Sequence, residues 1–310
     1  MEREFAYAIQ QSLNALQLAG FYMPLAVAFA LIQAVTRRVF LSFGEMAMFG
    51  SFGAVYACFF GILNGFDDFG SGLFALVIGI ACAGALGLAS SRVLFQPLLQ
   101  RSVQSYMIGA VGFSIVIEEV MRIQSEGRDI WIPRLFDGES FSLVSGDHVV
   151  NLTASNAAAL VLSGTTVLFV YAMMRFTSFG RNWVACAQDS RLASLCGVNA
   201  SHVIALTFML GAGLSAVSGW MAAISYGGTS FSSGAMLGFK AMFAAAIGGF
   251  GSVRGAALGA LLLGVLEVVW SGLYSSTWRD IGVFGVMIVM LLFRPEGLAG
   301  LSTTRESEAQ

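Results

Sequence analysis

Apolar residues in this chain run in long blocks separated by short polar breaks, not in narrow amphipathic stripes. The blocks lie near 10–34, 42–62, 72–91, 104–120, 156–174, 203–225, 237–251, 255–273 and 279–293. A helix needs about 20 apolar residues, at about 1.5 Å each, to cross a bilayer. The pattern therefore predicts an all-α, polytopic membrane protein of about 8–9 transmembrane helices, some short or broken. The 15-residue block 237–251 is too short for an ordinary span and reads as half of a broken helix. In that case there are eight spans and a re-entrant piece.

Composition agrees with the pattern and removes several classes of function. Of 310 residues 57% are hydrophobic and 11% charged, which leaves no room for a separate water-facing catalytic domain. Thirty-seven glycines would be costly in a soluble protein but let membrane helices approach closely, as in Gly251-x-x-x-Gly255-x-x-x-Gly259. Sixteen basic and eighteen acidic residues give a net charge of −2 without a basic run, which argues against nucleic acid as a partner. The single lysine, Lys240, stands in Gly-Phe-Lys-Ala and not in a phosphate-binding Gly-Lys-Ser/Thr loop, so ATP hydrolysis is not expected of this chain. Cys58, Cys82, Cys186 and Cys196 have no metal-ligand spacing and read as free thiols. His148 and His202 lack partners for a metal or nucleophile and read as surface histidines, so no metal or other cofactor is expected.

Arginines sort the breaks into two kinds. Arg37, Arg38, Arg92, Arg101, Arg175, Arg181, Arg191, Arg254, Arg294 and Arg305 fall on one side of the alternation, and Arg3, Arg122, Arg128, Arg134 and Arg279 on the other. The positive-inside rule places the first set, and the C-terminus, in the cytoplasm. The first apolar block extends too far for a signal peptide and is expected to stay as a span.

Four stretches in the second half carry a family resemblance. They are Gly180-Arg181-Asn182-Trp183-Val184-Ala185-Cys186-Ala187-Gln188-Asp189 leading to Leu195-Cys196-Gly197-Val198; Phe239-Lys240-Ala241 leading to Ile247-Gly248-Gly249-Phe250-Gly251-Ser252-Val253-Arg254-Gly255-Ala256; Leu258-Gly259 with Leu263-Gly264; and Leu292-Phe293-Arg294-Pro295-Glu296-Gly297-Leu298. In the first half, Phe95-Gln96-Pro97-Leu98 before Gly109 and Gly112-Phe113-Ser114, and Gly44-Glu45 with Gly50, match more loosely. The chain resembles the permease subunits of bacterial ABC importers for branched-chain amino acids over roughly residues 10–300. Phe43 stands where many members carry His and Phe40 where they carry Asn, departures that bear on the solute more than on the family.

The resemblance implies one transmembrane permease domain over 1–300, with 301–310 as a disordered tail. It implies a multi-pass protein of the bacterial inner membrane that forms the path for a small organic solute, with branched-chain or related amino acids first among the candidates. The implied partners are a second permease subunit in a heterodimer, two cytoplasmic ATPase subunits and a periplasmic binding protein. The segment 175–203 would be the contact that couples to the ATPase, with Gly180, Arg181, Asp189, Arg191 and Gly197 as its candidate residues. Its own signals predict a short helix: Asp189 or Ser190 as N-cap, an apolar strip of Leu192, Ala193, Leu195 and Cys196, and Gly197 as C-cap. A helix resting on lipid headgroups is the alternative reading. The segment 121–155 would dock the binding protein, with Trp131, Pro133 and Phe136 as anchors, or else is a solvated loop.

Ionisable groups in or at the ends of spans are Glu45, Glu118, Glu119, Lys240 and Glu267. Glu118 and Glu119 read as a solvated helix end. Glu45 and Lys240 lie in Gly-interrupted segments, one in each half, which is the pattern of a solute site. The candidate path residues are Pro24, Gly44, Glu45, Met48, Lys240, Ala244, Gly248, Gly249 and Gly251. Two readings of Glu45 and Lys240 remain open: they line the path, or they form an ion pair with each other. Pro24 should kink the first span, as prolines do in architectural helices and at gates alike. An ion-coupled secondary transporter or channel for a polar solute such as urea or an amide is the rival function; an intramembrane hydrolase lacks the mid-span nucleophile or aspartates it would need.

Overall fold

A computed structural model describes residues 2–132, 141–145, 148–152, 154–274, 276–293 and 297–298. Every predicted span is a helix. In chain order they are α1 (Glu2–Thr36), α2 (Phe43–Leu63), α3 (Asp68–Ser90), α4 (Gln96–Leu99), α5 (Val103–Gln124), α6 (Ala154–Phe176), α7 (Ser178–Gln188), α8 (Ser190–Leu195), α9 (Ala200–Tyr226), α10 (Ser233–Gly248), α11 (Val253–Leu273) and α12 (Arg279–Phe293). Six stretches among the described residues are long and apolar enough to cross a membrane: Tyr7–Thr36, Phe43–Leu63, Asp68–Leu99, Ala157–Phe176, Ala200–Tyr226 and Val253–Leu273. α5 has the length but carries Glu118, Glu119 and Arg122. α10 and α12, with 16 and 15 residues, reach only about 24 and 22 Å.

The block predicted at 72–91 does not stop at Arg92. It continues through a π-helical turn, Ser91–Phe95, into α4. Gln96 does not break the helix because its amide donates to the Ser201 carbonyl at 2.9 Å and accepts from the Ser201 hydroxyl at 2.6 Å. α10 starts four residues before the predicted block and ends at Gly248, where Gly249 (φ +100°) and Gly251 (φ +85°) turn the chain into α11. α1 continues as helix through the buried Pro24.

Small residues set the helix contacts. A Cβ on Gly259 would lie 2.0 Å from the Ala244 carbonyl oxygen, one on Gly264 2.6 Å from the Ala19 nitrogen, and one on Gly219 2.4 Å from the Ala47 carbonyl oxygen. These contacts join α10 to α11, α11 to α1 and α9 to α2, so α1, α2, α9, α10 and α11 form the packed interior. A cluster of Phe40, Phe43, Phe95 and Phe208 rings fills the space beneath α2, with the Phe40 and Phe95 centroids 4.6 Å apart.

The segment after α5 contains strands that the apolar pattern did not show. β1 (Ile130–Trp131) pairs antiparallel with β4 (Gly228–Thr229), and β2 (Phe141–Ser145) pairs antiparallel with β3 (His148–Leu152). Trp131, read as an anchor, is 72% exposed, and the anchor is its neighbour Ile132, 8% exposed and packed with Ala54, Val55 and Trp220. Alternation along an extended strand puts the two side chains on opposite faces. Pro133 and Phe136, the other two expected anchors, lie outside the described residues, as do Arg134, Arg294 to Glu296 and the tail 301–310.

Candidate functional site

Eight arginines of the larger set, from Arg37 to Arg254, share one end of the bundle. The loop after α1 binds both of its neighbours there. Arg38 donates to the carbonyls of Leu98 (3.0 Å), Leu99 (3.0 Å) and Arg101 (2.9 Å), and its guanidinium lies 5.4 Å from the centre of the Tyr106 ring. Arg37 donates to the carbonyls of Ala187, at 3.1 Å, and Gln188. A cation on the last carbonyls of α7 is favoured by the helix dipole. Arg37 sits at φ +50°, which lets two successive arginines point to two different helices. The sequence pattern marked this pair only as cytoplasmic charge.

α7 and α8 supply the coupling candidates. Gly180 is required by a close approach: a Cβ there would lie 2.0 Å from the Met174 carbonyl oxygen at the end of α6. The Thr177 hydroxyl caps α7 by accepting from the Gly180 N–H at 3.3 Å. Asp189 is the N-cap of α8, accepting from the N–H groups of Arg191 (2.8 Å) and Leu192 (3.1 Å), and these bonds hold its carboxyl below its ordinary pKa. Gly197 at φ +87° ends the turn, with the Val198 N–H donating to the Ala193 carbonyl at 3.0 Å. Of the expected apolar strip only Ala193 is buried; Leu192 and Leu195 are 61% and 83% exposed, and Cys196 and the guanidinium-bearing Arg181 and Arg191 are exposed beside them.

The membrane interior holds two charged centres, and they differ. Lys240 on α10 is 5% exposed and does not pair with Glu45. Its ammonium lies 2.6 Å from Glu267 Oε1 on α11 and 3.1 Å from Asp280 Oδ1 on α12. Tyr22 of α1 completes the centre, donating its hydroxyl to Glu267 Oε2 at 3.0 Å and accepting from Lys240 at 3.3 Å. Of the two readings left open, a Glu45–Lys240 ion pair does not form, and Lys240 belongs instead to a four-residue network across α1, α10, α11 and α12. Its signal in the sequence was Tyr22 itself, a hydroxyl in an apolar span that had to find a partner.

Glu45, in the first turn of α2, is 2% exposed. Its Oε1 accepts from the Ser114 hydroxyl of α5 at 3.3 Å, and its Oε2 has no hydrogen-bond partner. Here α2 and α10 touch backbone to backbone: a Cβ on Gly44 would lie 1.9 Å from the Gly234 carbonyl oxygen, and one on Gly234 would lie 2.2 Å from Glu45 Oε2. A cavity of about 170 Å³ lies beside this contact, between Phe29 and Phe40 on one side, Val111 and Ser114 of α5, and Phe239 and Met242 of α10. The other path candidates are packing residues in this structure: Met48 and Ala244 have no exposed surface, and Gly248 and Gly249 are buried. Glu119 and Arg122 pair at 2.5 Å on the exposed face of α5, in keeping with a solvated helix end. The four cysteines are free, His202 is exposed, and no group of metal-ligating side chains occurs among the described residues.

The architecture is a many-helix membrane bundle with small-residue packing, a short helix, α10, that ends in a glycine turn, and an exposed helical elbow at one end. Residues 11–292 match the family described as branched-chain amino acid transport system / permease component, and the chain belongs to that family. It is 32% identical over 301 residues to the high-affinity branched-chain amino acid transport system permease protein LivH of Salmonella typhimurium, covering 97% of this chain and 98% of that one. It is 31% identical to the corresponding permease protein BraD of Pseudomonas aeruginosa, covering 96% and 97%. Among solved structures it aligns with an inward-facing metal-chelate type ABC transporter at TM-score 0.47 and 17% identity, over 91% of this chain and 85% of that one. The chain is therefore a multi-pass inner-membrane transport subunit and not an enzyme. Membership of the family decides against a self-sufficient ion-coupled carrier.

Proposed function

We propose that this chain forms half of the translocation path of an ATP-driven importer for branched-chain or closely related amino acids. The observation that carries the reading is the family match over 282 residues together with near full-length similarity to two named branched-chain amino acid permeases (292 − 11 + 1 = 282). A second permease subunit, two ATPase subunits and a periplasmic binding protein complete the complex. The arginine-rich end is cytoplasmic, with the C-terminus on the same side, because eight described arginines gather there. Segment 121–155, at the opposite end, receives the binding protein.

α7 and α8 receive the ATPase. Exposed Leu192 and Leu195 flanked by Arg181 and Arg191 offer an apolar contact with a charged rim, and Arg37 ties α7 to the long helix α1. The path runs along the cavity beside the Gly44–Gly234 contact, with Gly44 and Glu45 next to it, while Pro24, Met48, Lys240, Ala244 and the Gly248–Gly251 turn pack the helices around it. Reconstitution in liposomes tests the whole reading. The chain with its partner subunits, binding protein and ATP is expected to accumulate leucine, and the chain alone is not. ATP-dependent uptake by the chain alone, or no uptake of any branched-chain amino acid by the complete complex, would overturn it.

A further inference from the structure

Among the described residues, Glu45 is a buried carboxyl without an ion-pair partner. Glu45 is 2% exposed, one of its oxygens has a single hydroxyl donor at 3.3 Å, and the other has none. No Lys, Arg or His among the described residues lies within ion-pair distance of it, and Lys240 is already held by Glu267 and Asp280. A carboxylate in the membrane interior needs a cation or a proton. The free oxygen faces the first turn of α10 at Gly234, and Ser114, the donor to the other oxygen, also lines the adjoining cavity.

The cavity has the chemistry of an aliphatic body. Phe29, Phe40, Val111, Phe239 and Met242 give it apolar walls, with Ser114 as the polar edge toward Glu45. A cavity of about 170 Å³ has room for a small aliphatic side chain. We propose that Glu45 is the subsite for the α-ammonium group of the amino-acid solute as its aliphatic side chain occupies this cavity. The proposal rests on the importer reading and adds the group that recognises the solute. A contact through one poorly solvated carboxylate also suits passage, because a site on a path must release what it binds.

Two arms test it in the complete complex in proteoliposomes. In the first, Glu45→Gln keeps the shape and the Ser114 contact but not the charge. Leucine uptake is expected to fall at least about tenfold while the complex still co-purifies, and Glu45→Asp is expected to recover part of the uptake. In the second, the membrane-soluble reagent dicyclohexylcarbodiimide is added to wild-type complex and modification of Glu45 is followed by mass spectrometry. Leucine is expected to slow the labelling, and 4-methyl-2-oxopentanoate, with the same aliphatic body and no ammonium, is not. Uptake within twofold of wild type in Glu45→Gln, or equal protection by both compounds, or protection by neither, would overturn the proposal. Wild-type complex that takes up no leucine would instead overturn the importer reading, and the labelling arm would still decide the role of Glu45.

Discussion

Glu45 and Lys240 occupy matching places in the two halves of the chain, each in a glycine-rich helix of the membrane interior, yet their surroundings are opposite. Lys240 is saturated by two carboxylates and a phenol drawn from three other helices. Glu45 has one weak donor, Ser114, which lines a cavity, and a second oxygen without a hydrogen-bond partner that faces Gly234. The difference separates structure from function among buried charges. A closed network holds helices in place, and on the proposal above the open carboxyl is the one that meets a passing solute.

The largest expected effect tests the closed side. Lys240→Met leaves Glu267 buried without its counter-ion, and breaking such a pair costs about 3–5 kcal/mol. Glu267→Met does the converse. The double variant Lys240→Met, Glu267→Met is expected to recover most of the loss, because an apolar pair of similar volume removes both desolvation penalties. Thermal unfolding in detergent, followed by the reactivity of the buried thiols Cys58 and Cys186, measures all three. Glu45→Gln is expected to shift the same transition by about 1 kcal/mol or less, since one 3.3 Å hydrogen bond is at stake. Equal destabilisation by Lys240→Met and Glu45→Gln would erase the distinction.

The next effect concerns the contact that places Glu45. Gly44→Ala puts a methyl 1.9 Å from the Gly234 carbonyl oxygen, and forced overpacking of this kind costs about 1–3 kcal/mol. Gly112→Ala on α5, where a Cβ meets nothing within 4 Å, is the control and is expected to be neutral or stabilising by about 0.5–1 kcal/mol. If Gly44→Ala behaves like the control, the α2–α10 approach is looser than the geometry here.

These two centres also mark the limit of what the sequence discloses. The nine apolar blocks were legible as helices because an apolar block in a bilayer has few other solutions. Their ends were less so: α10 is fixed by a turn at Gly249, and the helical run of α3 continues past Arg92 through a π turn into α4, where Gln96 bonds Ser201. Glu45 and Lys240 stood out as charges in apolar runs. Their partners did not, because Tyr22, Glu267 and Asp280 reach Lys240 only after α1, α11 and α12 have packed around α10. For the same reason Arg37 read as one topological charge among ten, although its place against the last carbonyls of α7 depends on two helices far apart in the chain. The strands at 141–152 were missed because five-residue polar-apolar stretches carry little signal between spans.

A smaller effect separates coupling from packing at the arginine-rich end. Arg37→Ala removes the cation from the α7 C-terminus, worth about 0.3–1 kcal/mol at an exposed helix end. Stability should hardly change, whereas ATPase stimulation by loaded binding protein is expected to fall in the assembled complex. Arg38→Ala, which frees the carbonyls of residues 98–101 and not those of α7, should leave stimulation closer to wild type. Equal loss in both variants would show general loosening of the loop.

The smallest effect lies in α8 and separates the elbow from both buried centres. The N–H groups of Leu192 and Arg191 hold the Asp189 carboxyl below its ordinary pKa. A depressed folded pKa stabilises the fold fully above the unfolded value, about 3.9, and that contribution is lost as pH falls through the folded value. At neutral pH the cap is therefore complete and insensitive to pH. Asp189→Asn keeps an acceptor oxygen and is expected to leave the turn formed, while Asp189→Ala frees both N–H groups and frays it. Amide exchange at Arg191 and Leu192, measured near pH 7, is expected to quicken in Asp189→Ala and to stay near wild type in Asp189→Asn. The unfolding transition should move little in either, whereas leucine uptake is expected to fall in Asp189→Ala, which frays the proposed ATPase contact, and to stay near wild type in Asp189→Asn. If Asp189→Ala lowers the unfolding temperature as much as Lys240→Met does, α8 is part of the structural network and not a separate exposed contact.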